Sequence, residues 1–221
     1  MAFLPDYAEL HALSNFSFLR GASHPEELVA RAHALGYKAL ALTDECSLAG
    51  AVRAHFAAKE CGLQLIYGTE VSVENCKLVL LAADRSSYGA ISSLITAGRR
   101  RSKKGAYALA RSDVEALEKT SALVLWVPGE DASLASWLAE RFAGRAWIAV
   151  ELHCGPNDRA KLNGLRELGK QSGLPLVAAG DVHMHVRSRK PLQDTLRAIR
   201  LGKAVGECGY ALAQNAEQRG W

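Results

Sequence analysis

The 221-residue sequence has no C-x-x-C pair, and its five cysteines, at 46, 61, 76, 154 and 208, are odd in number. That disfavours a zinc ribbon or a disulfide framework and fits reduced cytosolic thiols. No apolar run approaches the ~20 residues needed to span a bilayer. The start, MAFLPDYAEL, has no basic segment ahead of a long apolar one, so neither a membrane partner nor a signal peptide is expected. There is no G-x-G-x-x-G and no G-x-x-x-x-G-K-[ST], which disfavours nucleotide binding by a glycine loop. Repeats and low-complexity tracts are absent. Neither charge sign dominates: 27 Lys and Arg against 23 Asp and Glu leave +4. That permits a nucleic-acid partner without demanding one. A cytoplasmic protein is expected.

What is present is ordinary globular composition, 49% hydrophobic and 23% charged, enough for one good core. Seven segments read as strands: YAELHA (7–12), ALALTD (39–44), QLIYGTEVSV (64–73), CKLVLLAAD (76–84), ALVLWVP (122–128), AWIAVELHC (146–154) and LPLVAAGDVH (174–183). Helical spacing occupies most of the gaps, although none separates the third strand from the fourth. Pro25 opens one helix and Gly36 closes it, and Gly62 closes the next. Ser112 with Glu115 has the pattern of a capping box, the segment 132–144 is helical, and Ser188 caps a last helix that has Pro191 in its first turn. Short apolar runs such as ALALTD suit strands covered on both faces. The alternation predicts a parallel sheet, doubly wound or closed into a barrel.

Titratable residues gather at the C-terminal ends of these strands: His11, Asp44 with Glu45, Glu70, Glu151 with His153, and Asp181 with His183. In a parallel barrel these ends share one rim, where sites are built. His11 and Leu13, two apart, are expected on one face of a strand, and so are Asp181 and His183. A carboxylate and an imidazole in that relation suit Zn, Mn or Fe. The run RRRSKK (99–104) reads as a loop, either solvated or touching phosphate through Arg99, Arg100, Arg101, Lys103 and Lys104. Arg197, Arg200 and Lys203 recur at helical spacing and read as a solvated face. Glu151 and His153 read as rim residues without chemistry, His24 as a helix-cap residue, and Trp126, Trp137 and Trp147 as packing residues.

ELHALSNFSFLRGAS, LALTDECSLAGA, YGTEV, KLVLLAAD and DVHMH, in this order, resemble the motifs of the PHP (polymerase and histidinol phosphatase) domain. More narrowly they resemble the N-terminal PHP domain of bacterial C-family DNA polymerases, in the error-prone branch. The resemblance runs from about Tyr7 into the last helix. It implies an α/β fold, a distorted seven-stranded TIM-like barrel, with residues 1–221 forming one PHP domain at the start of a longer polymerase. Active members bind up to three metal ions and hydrolyse phosphoesters. On this resemblance His11, Glu70, Asp181 and His183 match family ligands, and Asp44 matches the Asp of a T-D-H motif. Leu13 stands where a second His belongs, Glu45 replaces the His of T-D-H, Lys77 replaces a His on the fourth strand, and Arg20 falls where an acidic ligand belongs. The fifth strand, ALVLWVPGE, offers no Cys or His ligand.

Lysine and arginine present donors only and cannot ligate a cation. The implied site is therefore a former metal centre held by ion pairs, with no catalytic residue assigned and at most one divalent ion (Zn, Mn or Mg) on His11, Glu70, Asp181 and His183. The polymerase palm's acidic motifs are absent. The expected role is structural support inside a DNA polymerase of replication and damage-tolerant repair, with the remaining polymerase domains as partners and DNA reached through the parent protein. Two alternatives stay open: a metal-dependent phosphoesterase or 3′–5′ proofreading exonuclease, and a DNA-binding module using the 99–104 segment.

Overall fold

The computed structural model describes residues 6–74, 76–129 and 134–215. The two chain ends and the expected helix start at 132–133 lie outside these. Seven strands form one sheet in sequence order: β1 (Ala8–Ala12), β2 (Ala39–Leu42), β3 (Gln64–Val73), β4 (Cys76–Leu81), β5 (Leu123–Val127), β6 (Ala146–Glu151) and β7 (Leu176–Ala179). The sheet curls until the end of β1 meets the segment just past β7 through an isolated parallel bridge, Ala12 to Val182. The fold is a distorted TIM-like barrel. It is not all parallel, as the strand–helix alternation had suggested: β4 runs antiparallel to both β3 and β5. The step from Val73 to Cys76 is too short for the crossover a parallel neighbour needs. The N-terminal end of β4 therefore reaches the same rim as the C-terminal ends of the other strands, and this carries Lys77 to the site.

Helices α1 (Pro25–Ala34), α2 (Ala51–Cys61), α3 (Arg85–Arg100), α4 (Arg111–Glu115), α5 (Leu134–Arg141), α6 (Asp158–Ser172), α7 (Lys190–Leu201) and α8 (Val205–Cys208) accompany the strands. Gly36 and Gly62 lie at positive φ just past α1 and α2, as expected, and His24 occupies the N-cap of α1. Two caps differ from the sequence reading. The α4 cap is Ala110, whose N–H donates to Asp113, and α7 begins after Arg189, with Ser188 inside a preceding 3-10 turn.

Strand periodicity sorts the core. On β4, Cys76, Leu78 and Leu80 face the helices, with Trp126 of β5 and Ile148 of β6. Val79 and Leu81 face the barrel interior with Leu125 and Ala149. A third cluster joins β1 and β2 to α1 and α2 through Leu28, Val29, Leu40 and Ala54. At the end of the barrel away from the rim, an apolar cavity of about 1060 Å³ opens among Leu10, Ile66, Leu125 and Trp147.

Candidate functional site

His11 reaches the rim through an irregularity in β1. From Glu9 to Ala12 this strand advances three residues while β2 advances two. Leu10 packs inside the barrel and Ala12 packs toward the helices. Without the extra residue both would face one way; with it, His11 turns inward at the rim, the usual use of a bulge beside a site. The His11 ring is fully buried. Its Nδ1 lies 2.6 Å from Glu151 Oε1, its Nε2 lies 3.0 Å from Glu70 Oε2, and Asp181 Oδ1 is 3.7 Å from Nδ1. Burial pulls the imidazolium pKa down, but Glu151, Glu70 and Asp181 outweigh it and lift it to about 10. Each ring nitrogen then donates to a carboxylate, and neither keeps a lone pair for a metal.

Two cations share the rim with this histidine. Arg20 grips Glu70 with both arms, Nη1 to Oε1 at 2.5 Å and Nη2 to Oε2 at 3.0 Å, and Nη1 also reaches Glu45 Oε2 at 2.9 Å. Lys77 Nζ stands 3.4 Å from Glu70 Oε2. Arg200, from α7, adds a contact to Glu45 Oε2 at 3.3 Å. Burial favours a protonated Glu70, but His11, Arg20 and Lys77 hold it ionised, well below the usual carboxylate range. Glu45 is lowered too, because Arg20 and Arg200 outweigh its burial.

Asp44 acts through hydrogen bonds to the segment after β1. It is buried, and it accepts hydrogen bonds from Ser14 N, Ser14 Oγ and Ser17 Oγ at 2.7–2.8 Å. Ser17 Oγ in turn accepts from Glu45 N. Asp44 thus fastens the segment that delivers Arg20. Leu13 lies just past β1, fully buried, with its N–H donating to Val182 O.

Asp181 and His183 lie beyond β7 and not on it, and Asp181 holds a left-handed backbone (φ 47°). Their side chains still meet, Nε2 to Oδ1 at 3.0 Å, and the Gln193 amide nitrogen lies 2.9 Å from the other ring nitrogen, Nδ1. Burial opposes a charged Asp181, but His183, His11 and Lys77 hold it well below its ordinary value. Behind them Glu9 accepts from the N–H groups of His11 and Gly180 and from Tyr7. A Cβ at position 180 would meet Glu9 Oε2 at 2.4 Å, so a larger residue here requires the Glu9 carboxylate to shift.

The ligand-type atoms of His11, Glu151 and Asp181 lie within 4.8 Å of one another. Among the described residues this is the group with metal-like spacing, and it differs from the set read in the sequence. Glu151 takes part, while Glu70 is occupied by Arg20 and His183 by Asp181 and Gln193. The E-x-H spacing of Glu151 and His153 at a strand end was the available signal. His153 contacts Gly180 O instead, at 3.1 Å. The rim opens into a cavity of about 430 Å³ lined by Arg20, Glu70, Lys77, Asp181, His183 and Arg200, among others.

The basic segment is less open than the sequence suggested. Arg99 and Arg100 belong to α3, not to a loop. Arg99 donates to the carbonyls of Glu45, Cys46 and Ala106 and stacks over Tyr107. Arg101 pairs with Asp113. Arg100, Lys103 and Lys104 are exposed.

The family model for the PHP domain matches residues 9–152. The chain belongs to the PHP family. Its relatives include the error-prone DNA polymerases of Dechloromonas aromatica (strain RCB), 61% identical over 97% of this chain, and Methylococcus capsulatus, 56% identical over 96%. This PHP chain spans only about a fifth of their length, 22% and 20%. Two solved structures share the fold. A candidate metal-dependent phosphoesterase from Bifidobacterium adolescentis has a TM-score of 0.59 at 18% identity, covering 81% of this chain and 88% of its own. An amidohydrolase from Chromobacterium violaceum, solved with sulfate and no metal, has a TM-score of 0.55 at 17% identity, covering 80% and 87%. Among the described residues no helix is long and apolar enough to cross a membrane.

Proposed function

We propose that this chain is the N-terminal PHP domain of an error-prone DNA polymerase of replication and damage-tolerant repair, and that its rim supports the polymerase instead of hydrolysing phosphoesters. The remaining polymerase domains are its partners, DNA is met through the parent protein, and the cytoplasm is its compartment. The observation that carries this reading is the Arg20 fork on Glu70, with Lys77 beside it. Side-chain cations stand where family members hold metal ions, and Leu13 stands where a ligand histidine belongs. Like unit charges ~4 Å apart cost about 4 kcal/mol at an effective dielectric of 20, and a divalent ion doubles that against each cation. The donor set therefore does not fit a three-ion centre. No hydrolytic step is assigned to these residues.

One divalent ion on His11, Glu151 and Asp181 is the competing arrangement, favoured by their spacing. It requires His11 to surrender its proton on Nδ1. Hydrolysis assays on a phosphodiester and on DNA 3′ ends, with Mn or Zn added, separate the two readings. Support alone predicts no turnover above background. Turnover that disappears in His183→Ala identifies an enzyme. A DNA-binding role rests on Arg100, Lys103 and Lys104, and it predicts affinity that falls steeply with salt and again when these three are neutralised.

A further inference from the structure

Helix α7 is turned inside out. At 100° per residue, Leu192, Leu196 and Ile199 form one stripe. In a helix packed on a barrel that stripe would be buried, yet Leu192 is 41% and Ile199 59% exposed. The buried positions are Gln193 and Ala198, each 2% exposed. Polar groups fill the inward side: Gln193 against His183, a Lys190–Asp194 pair, Arg197 donating to Ala211 O, and Arg200 on Glu45. Arg197 and Arg200, expected on a solvated face, each bond to the protein, although Arg200 stays exposed, and the aliphatic stripe faces solvent beside them. Of nine exposed large apolar side chains among the described residues, five fall between Leu192 and Tyr210; Leu192 and Ile199 lie on the stripe, and Leu201, Val205 and Tyr210 lie beyond it. Scattered exposed leucines need no explanation; a clustered stripe on one helix marks an interaction surface.

We infer that the outward stripe of α7 is the surface on which the rest of the polymerase polypeptide docks. The inference rests on the reading of this chain as part of such a polymerase. The occupant is indicated by length and position. The relatives match this chain nearly from end to end, yet about four-fifths of their length lies outside the match. Among the described residues α7 is the last helix longer than four residues. The stripe is aliphatic without added charge, which calls for an apolar patch on the partner and not for nucleic acid. Because Arg200 and Gln193 flank the stripe on the same helix, docking would also hold the rim contacts in place.

The test is hydrogen–deuterium exchange of α7 in two settings, this 221-residue chain alone and the full-length polypeptide that carries it. Exchange over 192–201 at least tenfold slower in the full-length protein is expected, with Leu192→Asp/Ile199→Asp removing that protection. Circular dichroism and melting of the isolated double variant should match wild type, since both side chains face outward; the milder Leu192→Ala/Ile199→Ala pair serves if the aspartates disturb folding. Equal exchange in the two settings overturns the inference. So does concentration-dependent dimerisation of the isolated chain that protects α7, which makes a second copy the occupant. A phosphoesterase activity at the rim would overturn the supporting role and leave this exchange result standing.

Discussion

At the residue scale the rim is defined by what Arg20 does. Its fork satisfies both oxygens of a carboxylate that is 1% exposed. Removing one partner of a buried pair leaves the other charge uncompensated. Arg20→Ala is expected to destabilise the domain by about 3 kcal/mol, read by urea denaturation. Arg20→Lys should recover only part of this, because a point charge cannot make two parallel bonds. A full recovery would mean that charge alone matters. The same residues set a pH dependence. Glu70 and Glu45 titrate below their ordinary values when folded, so their contribution is present above about pH 4.5 and is lost as pH falls through the folded values. His11 is raised from 6.5 to about 10, so its contribution is complete below pH 6.5 and drains away as pH climbs to about 10. Stability measured against pH should therefore be highest near pH 5–6.5, and His11→Gln should flatten the alkaline side. An unchanged alkaline side in that variant would contradict the assigned charge on His11.

At the element scale, loops and irregularities decide the site. Asp44 holds the 14–20 segment through three hydrogen bonds. Asp44→Ala should cost on the order of 3 kcal/mol and speed amide exchange from Asn15 to Arg20, where Arg20 loses its seat. Gly180→Ala should destabilise by about 1–3 kcal/mol, the scale of an overpacked core, and a melting point within a degree of wild type would refute the close approach of Glu9. These features explain what the sequence concealed. The alternation of strands and helices was legible in the apolar runs, and so was the helix-free step from β3 to β4. The reversal of β4 was not, although it places Lys77 at the rim. Glu151 went unrecognised because its meaning depends on the ring of His11, which lies 140 positions away and is turned inward by a bulge that no motif announces. Asp181 and His183 meet as expected, but from a bent segment and not from a strand. Arg99 looked like part of a mobile basic tract, yet three backbone carbonyls hold it. In each case a residue type was visible and its long-range partner was not.

At the scale of the whole molecule, this PHP barrel carries cations and a buried imidazolium at its rim and an aliphatic helix stripe facing outward. A rim locked by ion pairs and a surface prepared for docking are consistent with a domain kept for mechanical support. The most direct test of the locked rim is the metal content of the chain, measured by plasma mass spectrometry after equilibration with excess Zn or Mn and removal of free ion. An ion-paired rim predicts far less than one ion per chain, rising only when Arg20 and Lys77 are both replaced by alanine. One or more ions per wild-type chain, lost on changing His11 or Asp181, would contradict it.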